Sequence, residues 1–410
     1  MSQEQKLERH LRFWDILMFG VGGIVGAGIY AIIGEAGELA GNMLWLGFTV
    51  AAVVAILTGL TYAEFVSIFP DSGGSFEYVK QGLGEKTAYI LSTVMLFTGI
   101  VAAAAIAISF SDYLARLIDI PTWITTIGII SLMGLVNAVG IQQSSWFNLV
   151  ATIVTILGLA SVVYFTFPDW GSVDLLETPP DGAIGIFSGA ALIFFSFVGF
   201  EDLVKMAEET KEPKKVMPKG IILSGIIVLV IYILIAVSSV SALPWQDLAE
   251  SNGPLAEVMK TKAGSAWATA LIVVALFATS KTILSNILGT SRLVFDVARD
   301  SEVKWMKKLT SVMESTGTPV FSIICITALT ITFGLIGNLK VVASISNMLI
   351  FSVFLTVNIA MLRYRKTHEK SGDAPFRIPL NVNNIPIPTV LAIIGLLILI
   401  GFNIYNIVQG

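Results

Sequence analysis

One cysteine and two histidines are all that the 410 residues offer to thiol or imidazole chemistry. Cys325 lies within an apolar run, so no internal disulfide framework is available. His10 and His368 lie in polar flanks, far apart in the chain, and no histidine-based metal site is readable. Charge is scarce as well: Asp, Glu, Lys and Arg make up 13% of the chain, against about 25% in soluble domains. A chain this poor in charge cannot cover itself with a polar surface. The net charge of −4 argues against nucleic acid as a partner. A membrane-embedded enzyme would need a His, Asp, Glu or metal constellation at membrane depth, and no such cluster is visible.

What the chain has in excess is apolar length. Apolar residues are 55% of the sequence, and the mean hydropathy is +0.82. They fall in long runs, of which 221–243 is the purest and 385–404 a less pure example. About 20 apolar residues in a helix span the hydrocarbon core. Eleven such spans are expected, at 13–33, 42–69, 87–117, 121–139, 143–167, 183–207, 219–243, 265–296, 319–337, 340–362 and 385–408. Backbone polar groups cannot face lipid unpaired, so each span is expected to be a helix. The alternation of a barrel strand is absent. The first stretch is too long and too glycine-broken for a cleaved leader, and is expected to be retained.

Lysine and arginine orient the spans, because they gather on the cytoplasmic side. With the N-terminus inside, twenty of the 25 fall on one side, in clusters near Arg9, Lys80, Lys211, Lys304 and Lys366. Only Arg116, Lys260, Lys262 and Lys340 fall on the other, and Lys281 lies inside a span. Eleven spans then put the C-terminus outside.

Two spans carry anomalies. The first reads Gly20-Val-Gly22-Gly23-Ile-Val-Gly26-Ala27-Gly28. Glycine costs a helix interior about 1 kcal/mol against alanine, so this stretch either opens the helix or serves a tight helix crossing. The sixth span reads Phe194-Phe195-Ser196-Phe197-Val198-Gly199-Phe200-Glu201-Asp202, an aromatic run broken by Ser and Gly and followed by two acids. Taken alone it fits an ordinary helix with an acidic end. The two anomalies lie at matching depths, five spans apart. Such pairing marks the midplane site of transporters built from two inverted five-helix halves. Opened helices expose N–H groups that suit a carboxylate and carbonyls that suit an ammonium, and an amino acid has both.

Several motifs then carry a resemblance. Trp14-Asp15-Ile16 precedes Gly26-Ala27-Gly28-Ile29; Tyr62-Ala63-Glu64 precedes Phe69-Pro70-Asp71-Ser72-Gly73-Gly74-Ser75-Phe76; Phe197-Val198-Gly199-Phe200-Glu201 precedes the Glu208-to-Pro218 loop. Pro254-Leu255-Ala256 and Ala298-Arg299-Asp300 follow in order. The chain resembles the amino acid–polyamine–organocation superfamily of permeases, with the LeuT-type five-plus-five fold, well over about 10–305 and loosely beyond. The resemblance implies one all-α membrane domain over 1–410. Its first repeat would cover about 10–167 and its second about 183–363, with discontinuous first and sixth helices and one extra helix at 385–408. It implies secondary active transport by alternating access, ion-coupled or by exchange, with no cofactor.

The substrate site implied by the resemblance comprises Gly23 and Ile24, Gly26, Ala27 and Gly28 with their N–H groups around the α-carboxylate, Phe195, Ser196 and Val198 around the ammonium, and Phe200 as a gate or pocket aromatic. Selectivity would come from 103–107, from 283–286 with Ile283, and from 344–347. These positions are small, apolar or neutral, and only Glu201 offers an acid, so small neutral amino acids are expected. A polyamine or cationic amino acid is the alternative within transport, and a transporter-like sensor is the alternative class.

Coupling is open at this stage. Proton-coupled relatives have a lysine on the fifth span where this chain, counted from Gly140, has Thr155. Lys281, deep in the eighth span, is then either the replacement charge or one member of a structural pair. An intramembrane lysine is a functional candidate by default. The competing reading is a sodium ion on carbonyls near Gly22 and Val25 with the Thr155 and Thr279 hydroxyls. Glu201 is expected to gate or relay protons, Glu64 to pair with a basic residue, and Asp202 to be an interfacial charge. Most relatives have twelve spans, and transport is expected to survive with eleven. The protein is expected in the plasma membrane, as a monomer or homodimer.

Overall fold

The computed structural model describes residues 9–70, 74–139, 145–299, 309–311, 318–368 and 374–409. Asp71, Ser72, Gly73, Gly140, Asp300 and Lys304, named above, lie outside them. The described chain is helical except for a two-residue hairpin, β1 (Asn381–Val382) against β2 (Ile385–Pro386). Nine described segments are long and apolar enough to cross a membrane, and two shorter apolar helices accompany them.

The first expected span is two helices, α1 (Phe13–Ile24) and α2 (Ala27–Ala40). A 3-10 turn at Gly41–Met43 leads to α3 (Leu44–Ile68). Next come the short α4 (Ser75–Leu83), then α5 (Glu85–Ala115), α6 (Thr122–Val139) and α7 (Ser145–Thr166). The sixth expected span is α8 (Ala183–Ile193) followed by two 3-10 segments, Phe194–Phe197 and Phe200–Met206. The remainder is α9 (Pro213–Ala242), short α10 (Trp245–Glu250) and α11 (Pro254–Ala263), α12 (Ser265–Arg299), α13 (Val320–Gly334), α14 (Leu339–Thr367) and α15 (Ile387–Gln409).

Most ends agree with the sequence expectation to within a few residues. The largest differences are α2, which runs seven residues beyond 33, and α9, which starts six residues before 219. Proline suits a first helical position, where its missing N–H leaves nothing unpaired. The basic loop after the sixth span is therefore partly the first turns of α9. The short α4, α10 and α11 and the hairpin were not apparent in the hydropathy.

Burial places the broken spans at the centre. Of the apolar window in the segment 183–206, 67% is buried inside the protein, against 28% for α6. The side chains that α6 leaves uncovered, such as Trp123 and Leu135, are large and apolar, as a lipid-facing helix requires. The main helix contacts are α3 with α9, α5 with α12, α5 with α14, α14 with α15, and α2 with α8. Ahead of α1, Leu11 forms a parallel bridge with Thr210. Its N–H donates to the Glu209 carbonyl at 3.0 Å, and its carbonyl accepts from Lys211 N–H at 2.8 Å. The approach to α1 is thus strapped to the segment that follows Met206.

Candidate substrate site at the helix breaks

α1 closes with the Val25 N–H on the Val21 carbonyl at 2.7 Å. Val25 (ψ 86°) and Gly26 (φ −136°, ψ −136°) then leave the helix. In the other segment, Val198 is extended (φ −65°, ψ 137°) and Gly199 has φ +128°. Each break falls inside a stretch singled out in the sequence. The first stretch opens at Val25–Gly26, while Gly20 and Gly22 lie within α1, closely packed on Ser224 of α9 and Thr152 of α7, so the glycines serve both an opening and tight crossings.

The two breaks face each other. A methyl group added at Gly28 would come within 2.7 Å of the Ser196 Cα, and one at Gly199 within 2.7 Å of the Gly23 carbonyl oxygen. Both positions need glycine because backbone lies against backbone. Gly199 needs it also for its positive φ. Gly23 is exposed although Ile24 and Val25 beside it are buried.

Two kinds of backbone group result. The first N–H groups of α2, at Ala27, Gly28 and Ile29, have no intrahelical partner and lie at the positive end of the helix dipole. At the second break, the N–H of the residue before the helical segment is taken up: Gly199 N–H donates to Glu201 Oε2 at 2.8 Å. Glu201, 7% exposed, therefore folds its carboxylate back onto the residue that precedes its own helical segment. Freed carbonyls are the other kind. The Tyr232 hydroxyl on α9 lies 3.0 Å from the Ile24 carbonyl and 3.0 Å from the Ser196 carbonyl, donating between the two breaks. The Ser196 hydroxyl is buried without a partner. Asn347 on α14 donates to the Ala191 and Leu192 carbonyls at 2.8 and 3.1 Å, closing the end of α8.

The remaining sequence candidates are distributed around this centre. Phe195 is buried, and Phe200 packs edge-on against Tyr62 with centroids 5.7 Å apart and against Phe354 at 5.0 Å. It is thus an interior aromatic and not lipid-facing filler. The 103–107 run on α5 and Ile283 on α12 are buried, and Thr282 faces Gly26. Thr155 and Thr279 donate to their own helices, at the Ala151 carbonyl (2.8 Å) and the Ala275 carbonyl (2.7 Å). The α7 residue against Gly22 is Thr152, one turn before Thr155: a methyl at Gly22 would meet its Oγ1 at 2.4 Å. Thr155 instead presents its carbonyl to the Tyr30 hydroxyl of α2 at 3.4 Å. Lys281 Nζ reaches Thr152 Oγ1 at 3.4 Å, so its partner is a hydroxyl next to the opening of α1. Glu64 pairs with Arg365, both 3% exposed, while Asp202 pairs with Lys205 at the surface.

Thr152, Thr282 and Tyr232 escaped the sequence reading. Tyr232 left a trace, as the one aromatic residue in the run 219–243. The other two threonines differ in nothing legible from their neighbours.

A family model described as amino acid permease matches residues 11–410. The chain belongs to the amino acid permease family. This permease is a multi-pass membrane protein, and its relatives are named as permeases and transporters. It is 28% identical over 380 residues to a cationic amino acid transporter described as vacuolar from Arabidopsis thaliana, covering 88% of this chain and 64% of that one. It is 29% identical over 388 residues to a second Arabidopsis cationic amino acid transporter, again with 64% of that chain covered. A branched-chain amino acid permease of Bacillus subtilis is 28% identical over 432 residues, covering 97% of this permease and 89% of that one. The permease therefore spans about two thirds of the plant relatives and most of the bacterial one.

Proposed function

We propose that this permease moves small neutral L-amino acids across the plasma membrane by alternating access. The observation that carries the reading is the pair of apposed breaks, Val25–Gly26 against Val198–Gly199. Glu201 occupies the N–H end of the second break, so the substrate carboxylate is assigned to the N–H groups of Ala27 and Gly28. The ammonium then lies toward the Ile24, Ser196 and Val198 carbonyls and the unpartnered Ser196 hydroxyl. Phe195, Phe200 and Ile283 supply apolar walls.

The chain crosses the membrane eleven times in this reading, with the broken α1/α2 as the first crossing and the segment 183–206 as the sixth. Two inverted halves of five are supported by the packing. The first crossing touches the sixth, α3 touches α9, α5 touches α12, and α6 touches α13, each pair five crossings apart. The N-terminus is cytoplasmic, following the lysine and arginine distribution.

Coupling runs through Lys281 in this proposal. Its ammonium reaches Thr152, which covers Gly22. Gain or loss of a proton there changes the charge beside the hinge of α1. Lys281→Ala is expected to abolish pH-driven uptake in liposomes while leaving amino acid exchange measurable; unchanged pH dependence would refute the role. The sodium alternative at Gly22, Val25, Thr155 and Thr279 predicts uptake that fails when choline replaces sodium.

A cationic amino acid is the second reading, favoured by the plant relatives and by the buried carboxylate of Glu201 next to the break. Thermal unfolding of the purified protein against each of the twenty amino acids and several polyamines separates the readings. A ligand that binds only the folded state raises the midpoint by mass action. Alanine, serine or branched-chain residues are expected to raise it. A response to arginine and lysine alone would replace the neutral assignment.

A further inference from the structure

Seven buried side-chain oxygens among the described residues have no hydrogen-bond partner, and four of them lie on three neighbouring helices away from the breaks. They are Ser188 Oγ on α8, Ser344 Oγ and Asn347 Oδ1 on α14, and Asn403 Oδ1 on α15. None of the four residues is more than 1% exposed. Their backbones and amides are interlocked. Asn403 Nδ2 donates to the Ser344 carbonyl at 2.7 Å, and Asn406 Nδ2, one turn on, donates to the Ser188 carbonyl at 2.9 Å. Asn347 Nδ2 binds the Ala191 carbonyl at 2.8 Å, one turn from Ser188. A stacked pair, Phe187 and Phe402, with centroids 5.3 Å apart, joins α8 to α15 beside this cluster.

The amide orientations are fixed by these bonds. Turning Asn347 or Asn403 over would set its oxygen against a backbone carbonyl. The amide donors are therefore spent on the backbone, and the side chains are left with lone pairs. Buried polar atoms in native proteins almost always find a partner, so four such oxygens on three interlocked helices call for an occupant. No two of them are within hydrogen-bond reach of each other. No carboxylate belongs to the set, whereas sites for divalent cations are built on carboxylates. Lone pairs from neutral amides and hydroxyls, deep between apolar helices, complement a single positive charge.

We propose that α8, α14 and α15 enclose a site for a monovalent alkali cation, bound by Ser188, Ser344, Asn347 and Asn403, separate from the substrate site. The cation would fasten α15 to the helix that leads into the second break.

Thermal unfolding of the full-length protein in detergent tests this without any amino acid present. Sodium chloride is titrated against choline chloride at constant ionic strength, with potassium in parallel. The midpoint is expected to rise saturably by several degrees with sodium or potassium and not with choline. Ser188→Ala and Ser344→Ala remove an unpartnered hydroxyl and no hydrogen bond seen in the structure. They are expected to weaken the apparent cation affinity at least tenfold. If the hydroxyls serve no ligand, the same variants match or exceed the wild-type midpoint in every salt, which would overturn the site. Water as the sole occupant would show as a wild-type midpoint indifferent to the cation, and would overturn it equally. A cation response lost in Thr279→Ala but kept in Ser344→Ala would move the ion to the opening of α1 and also reject this site.

Discussion

At the scale of single residues, the centre of the permease is held by what glycine lacks and by what one tyrosine donates. Gly199 has φ +128° and faces the Gly23 carbonyl. A side chain there meets both an unfavourable backbone region, worth about 1–3 kcal/mol, and a collision. Gly199→Ala is expected to abolish uptake and lower the unfolding midpoint. Tyr232→Phe removes only the hydroxyl shared by Ile24 and Ser196. Loss of one such bond costs about 1 kcal/mol, so the variant is expected to fold while its uptake falls at least tenfold. Measured uptake equal to wild type would deny Tyr232 its bridging role. The glycines were legible because five of them in nine residues are unfavourable for a helix; Gly26 and Gly28 lie at the break, and Gly20 and Gly22 sit where α9 and α7 pack closely on α1. Thr152 was not legible. Which face of α7 meets Gly22 depends on helix rotation, and the count from Gly140 settled one turn beyond the residue that makes the contact.

At the scale of elements, a buried ion pair links α3 and α14 to the hairpin. Arg365 Nε donates to Glu64 Oε1 at 2.8 Å, Ile378 N–H donates to Glu64 Oε2 at 2.8 Å, and Asn384 Nδ2 donates to the Arg365 carbonyl at 2.8 Å. The sequence marked Glu64 as a partner for a basic residue but could not name Arg365, 301 positions away. Breaking a buried pair leaves a charge unpaired at a cost of about 3–5 kcal/mol, whereas replacing both partners with apolar residues is often near neutral. Glu64→Leu and Arg365→Met singly are expected to reduce the monodisperse fraction on size-exclusion chromatography sharply, and the double variant to recover most of it. Equal behaviour of the singles and the double would mean that the ion pair does not organise this corner. The hairpin itself was invisible to hydropathy because two-residue strands leave no periodicity.

At the scale of the molecule, the all-helical class and the placement of the long apolar segments followed from apolar length, and the central position of the broken segments followed from their polarity inside that length. The packing partners did not follow, because an apolar run carries no record of which helix it touches. The sidedness proposed from lysine and arginine makes a direct expectation. A cysteine replacing Lys260 should react with a membrane-impermeant maleimide in intact cells, and one replacing Lys215 only after permeabilisation. The reverse pattern would invert the whole topology. Cys325 is half-buried and would be replaced first.

The bridge between Leu11 and Thr210 makes a mechanical consequence concrete. Two levers that hinge at separate breaks are buckled together at their free ends. Neither can tilt away from the bundle without dragging its neighbour, so the pair is expected to open as one leaf of a door and not as two shutters.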